Sequence, residues 1–196
     1  MTIILDHIEK RNEKGEEVLH GFTLEVEDDK SYIFTGPEGC GKSLLLKIFL
    51  GLERPEGGEV VRMGDYKYPT LQSSYVSQEG SLQPKKNAVW NVRKAHRTVT
   101  KGRAMEELLR FLPEQELSLP ASELSPVSRR FTELVKALFV PSDFIVLDEP
   151  FQGMSRPERE KALAYIMQKK GRRPLLIAAR DTEGLDFGRT IDLSAR

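Results

Sequence analysis

Apolar positions fall into short runs separated by charged or glycine-rich turns, and the spacing within each run predicts an element. Residues 2–8 carry Ile3, Leu5 and Ile8, and residues 22–26 carry Phe22, Leu24 and Val26. Both read as early strands of a sheet, flanking the charged turn Glu13-Lys14-Gly15-Glu16-Glu17. Tyr32-Ile33-Phe34 reads as a buried strand. The run from Leu44 to Leu50 is too long and too leucine-rich for a second strand and predicts a helix. Gly51 caps it, and Glu53-Arg54-Pro55-Glu56-Gly57-Gly58 turns the chain. Glu59 to Met63 and Ser74 to Ser77 follow as short strands, the latter ending at Gln78. Residues 87–97 and 103–112 read as amphipathic helices, the second with Met105, Leu108, Leu109 and Leu112 on one face. Phe144 to Leu147 is a continuous apolar run before Asp148, as expected of a central strand covered on both faces. Pro157 to Lys170 predicts a helix, Pro174 to Ala179 a buried strand, and Ile191 to Leu193 a last short one.

Between the third strand and the first helix lies Gly36-Pro37-Glu38-Gly39-Cys40-Gly41-Lys42-Ser43. Glycine, four residues, then Gly-Lys-Ser is the pattern of a phosphate-binding loop, and strand–loop–helix is the context it needs. The glycines let backbone N–H groups turn toward a polyphosphate, and the helix N-terminus adds partial positive charge. In that reading Lys42 reaches the β- and γ-phosphates and the Ser43 hydroxyl holds Mg²⁺. The strand ending at Asp148 and Glu149 supplies the partner chemistry. An acidic residue at a strand tip can hold Mg²⁺ through water, and the next carboxylate can orient and deprotonate an attacking water.

Composition narrows the class. A chain of 196 residues suffices for one α/β domain with a full core. Lys plus Arg number 30 and Asp plus Glu number 30, so no global charge draws the chain to nucleic acid. No run of about 18 apolar residues exists to span a membrane, and the N-terminus lacks the pattern of a signal peptide. Cys40 is the single cysteine, which fits a reducing cytoplasm and a spacer role within the loop.

Taken together, the motifs resemble those of the nucleotide-binding subunit of an ATP-binding cassette (ABC) transporter. GPEGCGKS, GLERPEGGEV, SYVSQEG, ELSPVSRRFTELVKAL, FIVLDEPFQGM and LLIAARD stand in the family's order along nearly the whole chain. GLERPEGG, QEGSLQP, SELS and the terminal DLSAR are similar to importer ATPases of the nitrate, sulfonate and taurine type. The resemblance implies an α/β P-loop NTPase (RecA-like) core with an N-terminal antiparallel β subdomain and a short helical subdomain. It assigns 1–86 and 117–196 to the ATP-binding core and 87–116 to the helical part. It implies ATP and Mg²⁺ as cofactors, with Gly36 through Leu44 (Pro37, Glu38, Gly39, Cys40, Gly41, Lys42 and Ser43 between them) and Ser125 as nucleotide contacts. Ser43, Gln78 and Asp148 would surround the metal, and Glu149, Gln78, Lys42 and Arg180 would carry catalysis. The implied partners are a second cassette subunit, identical or not, meeting head to tail, and a membrane permease, with no nucleic acid. The implied location is cytoplasmic, peripheral on the inner face of the cell membrane.

Four positions depart from the family pattern. The signature, normally Leu-Ser-Gly-Gly-Gln, is Leu124-Ser125-Pro126-Val127-Ser128. Ser125 can still cap a helix with Pro126 in its first turn, but Pro126 has no N–H and Val127 is branched. Arg180 replaces the switch histidine; it is cationic but cannot accept a hydrogen bond, and either a phosphate or Asp181 could be its partner. Asn12 and Glu13 stand where an aromatic residue would stack on adenine, and Gly153-Met154-Ser155 stands where the family usually has Leu-Asp. The segment between Gln78 and Leu124 is short; Trp90 within it reads as a core residue, or else as a docking anchor. His7, His20 and His96 lie outside the motifs. The leading reading is a transporter ATPase, by the resemblance an importer's, whose hydrolysis is slow or partner-dependent. The alternatives are a module that clamps ATP with little turnover and a phosphate-loop kinase, the latter disfavoured by the late position of the loop.

Overall fold

The computed structural model describes residues 2–64 and 70–194. The last two residues of the DLSAR segment lie outside the described residues. The chain divides into two compact units, residues 1–73, 142–149 and 172–196 in the first and residues 74–141 and 150–171 in the second.

The first unit opens with strands β1 (Thr2–Arg11) and β2 (Glu17–Val26), longer than their apolar cores alone predict. They pair antiparallel, with Ile3 opposite Val26 and Leu5 opposite Leu24. Strand β4 (Gly57–Met63) pairs antiparallel with the other edge of β1. Period-two alternation buries Ile3, Leu5, Phe22 and Leu24. The remaining strands of the unit, β3 (Ser31–Thr35), β6 (Phe144–Asp148), β7 (Leu175–Ala178) and β8 (Arg189–Asp192), run parallel in the order β6-β7-β3-β8. Every residue of β6 and β7 is buried, which is why they read as unbroken apolar runs. Helix α1 (Lys42–Leu50) buries Leu45, Leu46, Ile48 and Phe49, and Phe49 meets Phe144 of β6 edge-on at 5.2 Å between centroids. It ends on Gly51 in the left-handed conformation, as its position after the apolar run predicts.

The second unit contains most of strand β5 (Ser73–Val76) and four helices: α2 (Ala88–Arg93), α3 (Lys101–Leu108), α4 (Pro126–Leu138) and α5 (Arg156–Lys170). A 3-10 turn at Glu114–Ser118 precedes α4. Phe111 organises the packing, stacked on Phe131 at 4.6 Å and edge-on to Tyr165 at 4.9 Å. Three expectations are corrected here. Helix α2 stops at Arg93 rather than Arg97, because the Ala95 N–H bonds to Val92 three residues back and the turn tightens. Helix α3 lies at 101–108 instead of 103–112, and the tightened turn that follows leaves Leu109 47% exposed while Leu108 and Leu112 are buried. Trp90 is half-buried rather than a core residue, with Lys86 and Lys94 over its ring at 5.6 and 5.8 Å.

Candidate functional site

Strand register assembles the site of the first unit. Ala178 of β7 is aligned with Phe34 of β3 on one side and with Asp148 of β6 on the other. The segments leaving these strands, Gly36 to Ser43, Glu149 and Arg180, therefore emerge at one C-terminal sheet edge. Ligands of parallel sheets bind at such edges.

The loop is shaped by its glycines. Gly36 has φ 134°, and a Cβ there would lie 2.8 Å from Cys40 Sγ. Gly41 has φ 95° and stands at the N-cap of α1, where no side chain caps the helix. The first N–H groups of a helix have no partner within it, so this uncapped start is suited to an anion. Lys42 is 7% exposed. Its Nζ donates to the carbonyls of Gly36 at 2.7 Å and Pro37 at 2.9 Å and stands 3.7 Å from Cys40 Sγ. An ammonium is thus held within the loop, beside the uncapped helix.

Asp148 is 1% exposed at the end of β6. Glu149 follows it at φ 46°, a left-handed conformation that costs a non-glycine residue about 1–3 kcal/mol. Its N–H donates to the Ala178 carbonyl at 2.9 Å, which anchors that conformation. Burial pushes the Glu149 carboxyl above the usual carboxylate range, opposed by the Arg180 N–H and the charges of Lys42 and Arg180, with Asp148 adding to the rise. Arg180 links the two halves of this edge: Nη1 lies 3.1 Å from Glu38 Oε2 in the loop and Nε 3.7 Å from Glu149 Oε1. Its backbone N–H donates to Glu149 Oε2 at 3.4 Å. The arginine's ion pairs are therefore with Glu38 and Glu149.

Gln78 and Ser125 belong to the second unit. Ser125 Oγ accepts the Ser128 N–H at 3.0 Å, and Pro126 occupies the first turn of α4, so the cap expected from the sequence is in place. The Ser77 and Gln78 carbonyls accept from Arg130 Nη1 at 2.9 Å and Nη2 at 2.7 Å. Glu133, with 5% side-chain exposure, accepts from the Ser81 N–H and, at 3.0 Å, from its hydroxyl. Lys136 Nζ donates to the Ser81 carbonyl at 3.0 Å. The sequence reading missed these ties; their signal is the spacing of Arg130, Glu133 and Lys136, three apart on one helix face.

Two departures serve local structure. Asn12 Oδ1 accepts the Lys14 and Glu16 N–H groups at 3.0 Å each, making position 12 the organiser of the β1–β2 turn. Glu158 accepts the Ser155 N–H at 2.7 Å and its hydroxyl at 2.6 Å, so Ser155 closes the start of α5.

Residues 19–152 match the ABC transporter family. The chain belongs to that family. Among curated relatives, it is 36% identical over 164 residues to the aliphatic sulfonates import ATP-binding protein SsuB 1 of Rhodococcus jostii, covering 82% of this chain and 66% of that protein. It is 32% identical over 157 residues to the taurine import ATP-binding protein TauB of Pseudomonas aeruginosa, covering 76% and 60%. The sulfonate and taurine resemblance carried by GLERPEGG and QEGSLQP thus has matching relatives. The matches span only about three fifths to two thirds of those relatives' length. Among solved structures, a putative ABC transporter ATP-binding protein from Pyrococcus furiosus superposes with TM-score 0.83 at 21% identity, covering 100% of this cassette and 98% of that chain. A dimeric ATP-binding cassette in a post-hydrolysis state with ADP and Pi gives TM-score 0.79 at 22% identity, covering 97% and 93%. The cassette's fold is therefore the α/β P-loop NTPase core with its antiparallel β and helical parts.

Proposed function

We propose that the chain is the ATP-binding and ATP-hydrolysing subunit of an ABC importer, coupling closure of a cassette dimer to solute movement through a membrane permease. The observation that carries this reading is the meeting of Lys42, Glu149 and Arg180 at one sheet edge beside an uncapped helix start. The donor set fits a polyphosphate: a buried ammonium and helix-start N–H groups for its oxygens. Among the described residues no group of three or more His, Cys, Asp or Glu could hold a metal. Mg²⁺ needs no such cluster, being bound through one or two protein groups, substrate phosphates and water. Asp148 and Ser43 of the first unit would hold it, Gln78 of the second unit being assigned to it by motif alone, and when bound it neutralises charge on the phosphates.

In this reading Lys42 orients the terminal phosphates and Glu149 takes a proton from the attacking water. The raised affinity of Glu149 for protons suits a general base. Arg180, in the switch position, fixes the Glu149 carboxylate and pins Glu38 across the loop. Ser125 of one subunit meets nucleotide on the other, whether the dimer is of identical or different chains, with 87–116 as the helical subdomain facing the permease. The assembly sits on the cytoplasmic face of the membrane; no helix among the described residues is long and apolar enough to cross one. The names of the relatives support import.

A second reading, an ATP clamp with little turnover, is favoured by Pro126, which offers no N–H at the helix start, and by the pairing of Arg180 with Glu149. Phosphate release from Mg-ATP separates the two. Wild-type release that Glu149→Gln abolishes supports the ATPase. A silent wild type beside an active Pro126→Gly/Val127→Gly/Arg180→His variant would refute it in favour of the clamp.

A further inference from the structure

From Gly80 to Met105 the sequence holds no Asp or Glu but contains Lys85, Lys86, Arg93, Lys94, Arg97, Lys101 and Arg103, in a chain otherwise balanced at 30 acidic and 30 basic residues. The second unit folds part of this stretch into a cavity of about 500 Å³ lined by Arg93, Lys94, His96, Arg97, Thr100 and Lys101. Elsewhere in the same unit basic side chains sit beside carboxylates: Arg110 and Lys169 with Glu107, Lys136 with Glu133, Arg156 with Glu160. Among the described residues Arg93, Lys94, Arg97 and Lys101 have no carboxylate within ion-pair distance. His96 Nδ1 lies 2.8 Å from the Thr98 hydroxyl oxygen and 3.3 Å from the Thr98 backbone nitrogen, so that ring nitrogen is tied to Thr98. Arg93 and Lys101 also line an adjoining, mainly apolar cavity of about 460 Å³, whose wall includes Val89, Trp90, Met105 and Leu117 together with one carboxylate, Glu114. A cationic cavity thus shares two of its residues with an apolar one that contains a tryptophan, the side chain suited to a membrane interface.

We propose that the basic cavity binds the phosphate of an anionic phospholipid headgroup, with the Trp90 cavity receiving the start of the acyl region. Free phosphate would satisfy the cations alone. The apolar cavity joined to them by Arg93 and Lys101 favours the lipid. The inference rests on the second unit by itself and not on the ATPase reading.

Trp90 is the chain's single tryptophan, so its emission reports directly on the site. The full chain is mixed with vesicles of phosphatidylcholine alone or with phosphatidylglycerol, with and without brominated acyl chains. Co-sedimentation and quenching of Trp90 are expected only when phosphatidylglycerol is present, both weakening as salt is added. Arg93→Gln/Arg97→Gln/Lys101→Gln is expected to lower vesicle partitioning about 100-fold, from the contribution of each basic residue at an anionic surface. Equal binding to both lipids, or a triple variant that binds like wild type, overturns the proposal. So does an emission change with inorganic pyrophosphate but none with vesicles, or retention on duplex DNA in place of vesicles. The quenching measurement uses the wild-type chain and is independent of how the variant folds.

Discussion

Glu133 offers the sharpest test of how α4 holds the segment after Gln78. Its carboxylate accepts two bonds from Ser81, one from the N–H and one from the hydroxyl at 3.0 Å, with Lys136 Nζ at 4.0 Å. Truncation in Glu133→Ala removes both acceptors. A hydrogen bond to a charged group contributes about 1.5–3 kcal/mol, but Ser81 is exposed and water replaces part of that. Taking the lower value for the N–H, adding about 0.8 kcal/mol for a lost buried methylene, and allowing little for the exposed hydroxyl, the cost is about 2–3 kcal/mol. With a urea slope of about 2–3 kcal/mol/M, the midpoint falls by about 1 M. Ser81→Ala removes only the hydroxyl and costs about 0.5–1 kcal/mol. The double variant is expected to cost less than the sum of the two single variants, since the hydroxyl's bond to Glu133 is already gone and only its bond from Lys136 Nζ at 2.8 Å is left to lose. Urea denaturation of the four proteins of this cycle, with amide exchange of residues 77–83 as the local readout, measures the coupling. A Glu133→Ala within 0.5 kcal/mol of wild type, or strictly additive costs, would refute the role assigned to this carboxylate.

Two further outcomes follow from the first unit. Gly58 has φ 81°, and a Cβ there would overlap the carbonyl oxygens of Asp6 and His7 in β1, so Gly58→Ala is expected to destabilise by more than about 3 kcal/mol in a thermal or urea melt. Burial raises the Glu149 carboxyl, so the folded state binds the proton more tightly than the unfolded one, and ionising it costs stability as pH rises from the ordinary carboxylate range through the raised value. Glu149→Gln is therefore expected to be more stable than wild type at neutral pH, with the gap closing below the ordinary carboxylate range. A gap that persists unchanged into acid would contradict this.

Features encoded over a few neighbouring residues were legible before any coordinates. The glycine loop between strand and helix, the Gly51 terminus of α1, the Ser125–Pro126 start of α4 and the apolar runs of β6 and β7 each rest on one local rule of backbone geometry or periodicity. Helix ends in the second unit were less legible, because α2 and α3 close with tightened turns that periodicity does not register. The exposure of Leu109 follows from the ending of α3, while the place of Phe111 between Phe131 and Tyr165 joins residues distant in sequence.

The sequence by itself determined that a phosphate-binding loop exists, that a carboxylate pair ends a buried strand, and that the chain follows the order of ABC cassettes. Backbone conformation and burial periodicity are short-range properties, and the residues write them directly. Tertiary structure alone decided which partners the charged side chains take. Arg180 reached Glu38, far back in the chain, and Glu149 rather than being left to its neighbours. Arg130 and Glu133 closed on the segment from Ser77 to Ser81, and Arg93, Lys94, Arg97 and Lys101 were gathered around one cavity. Long flexible side chains meet only where the packed backbone brings them, and sheet register and helix packing set those meetings over separations that no local pattern encodes.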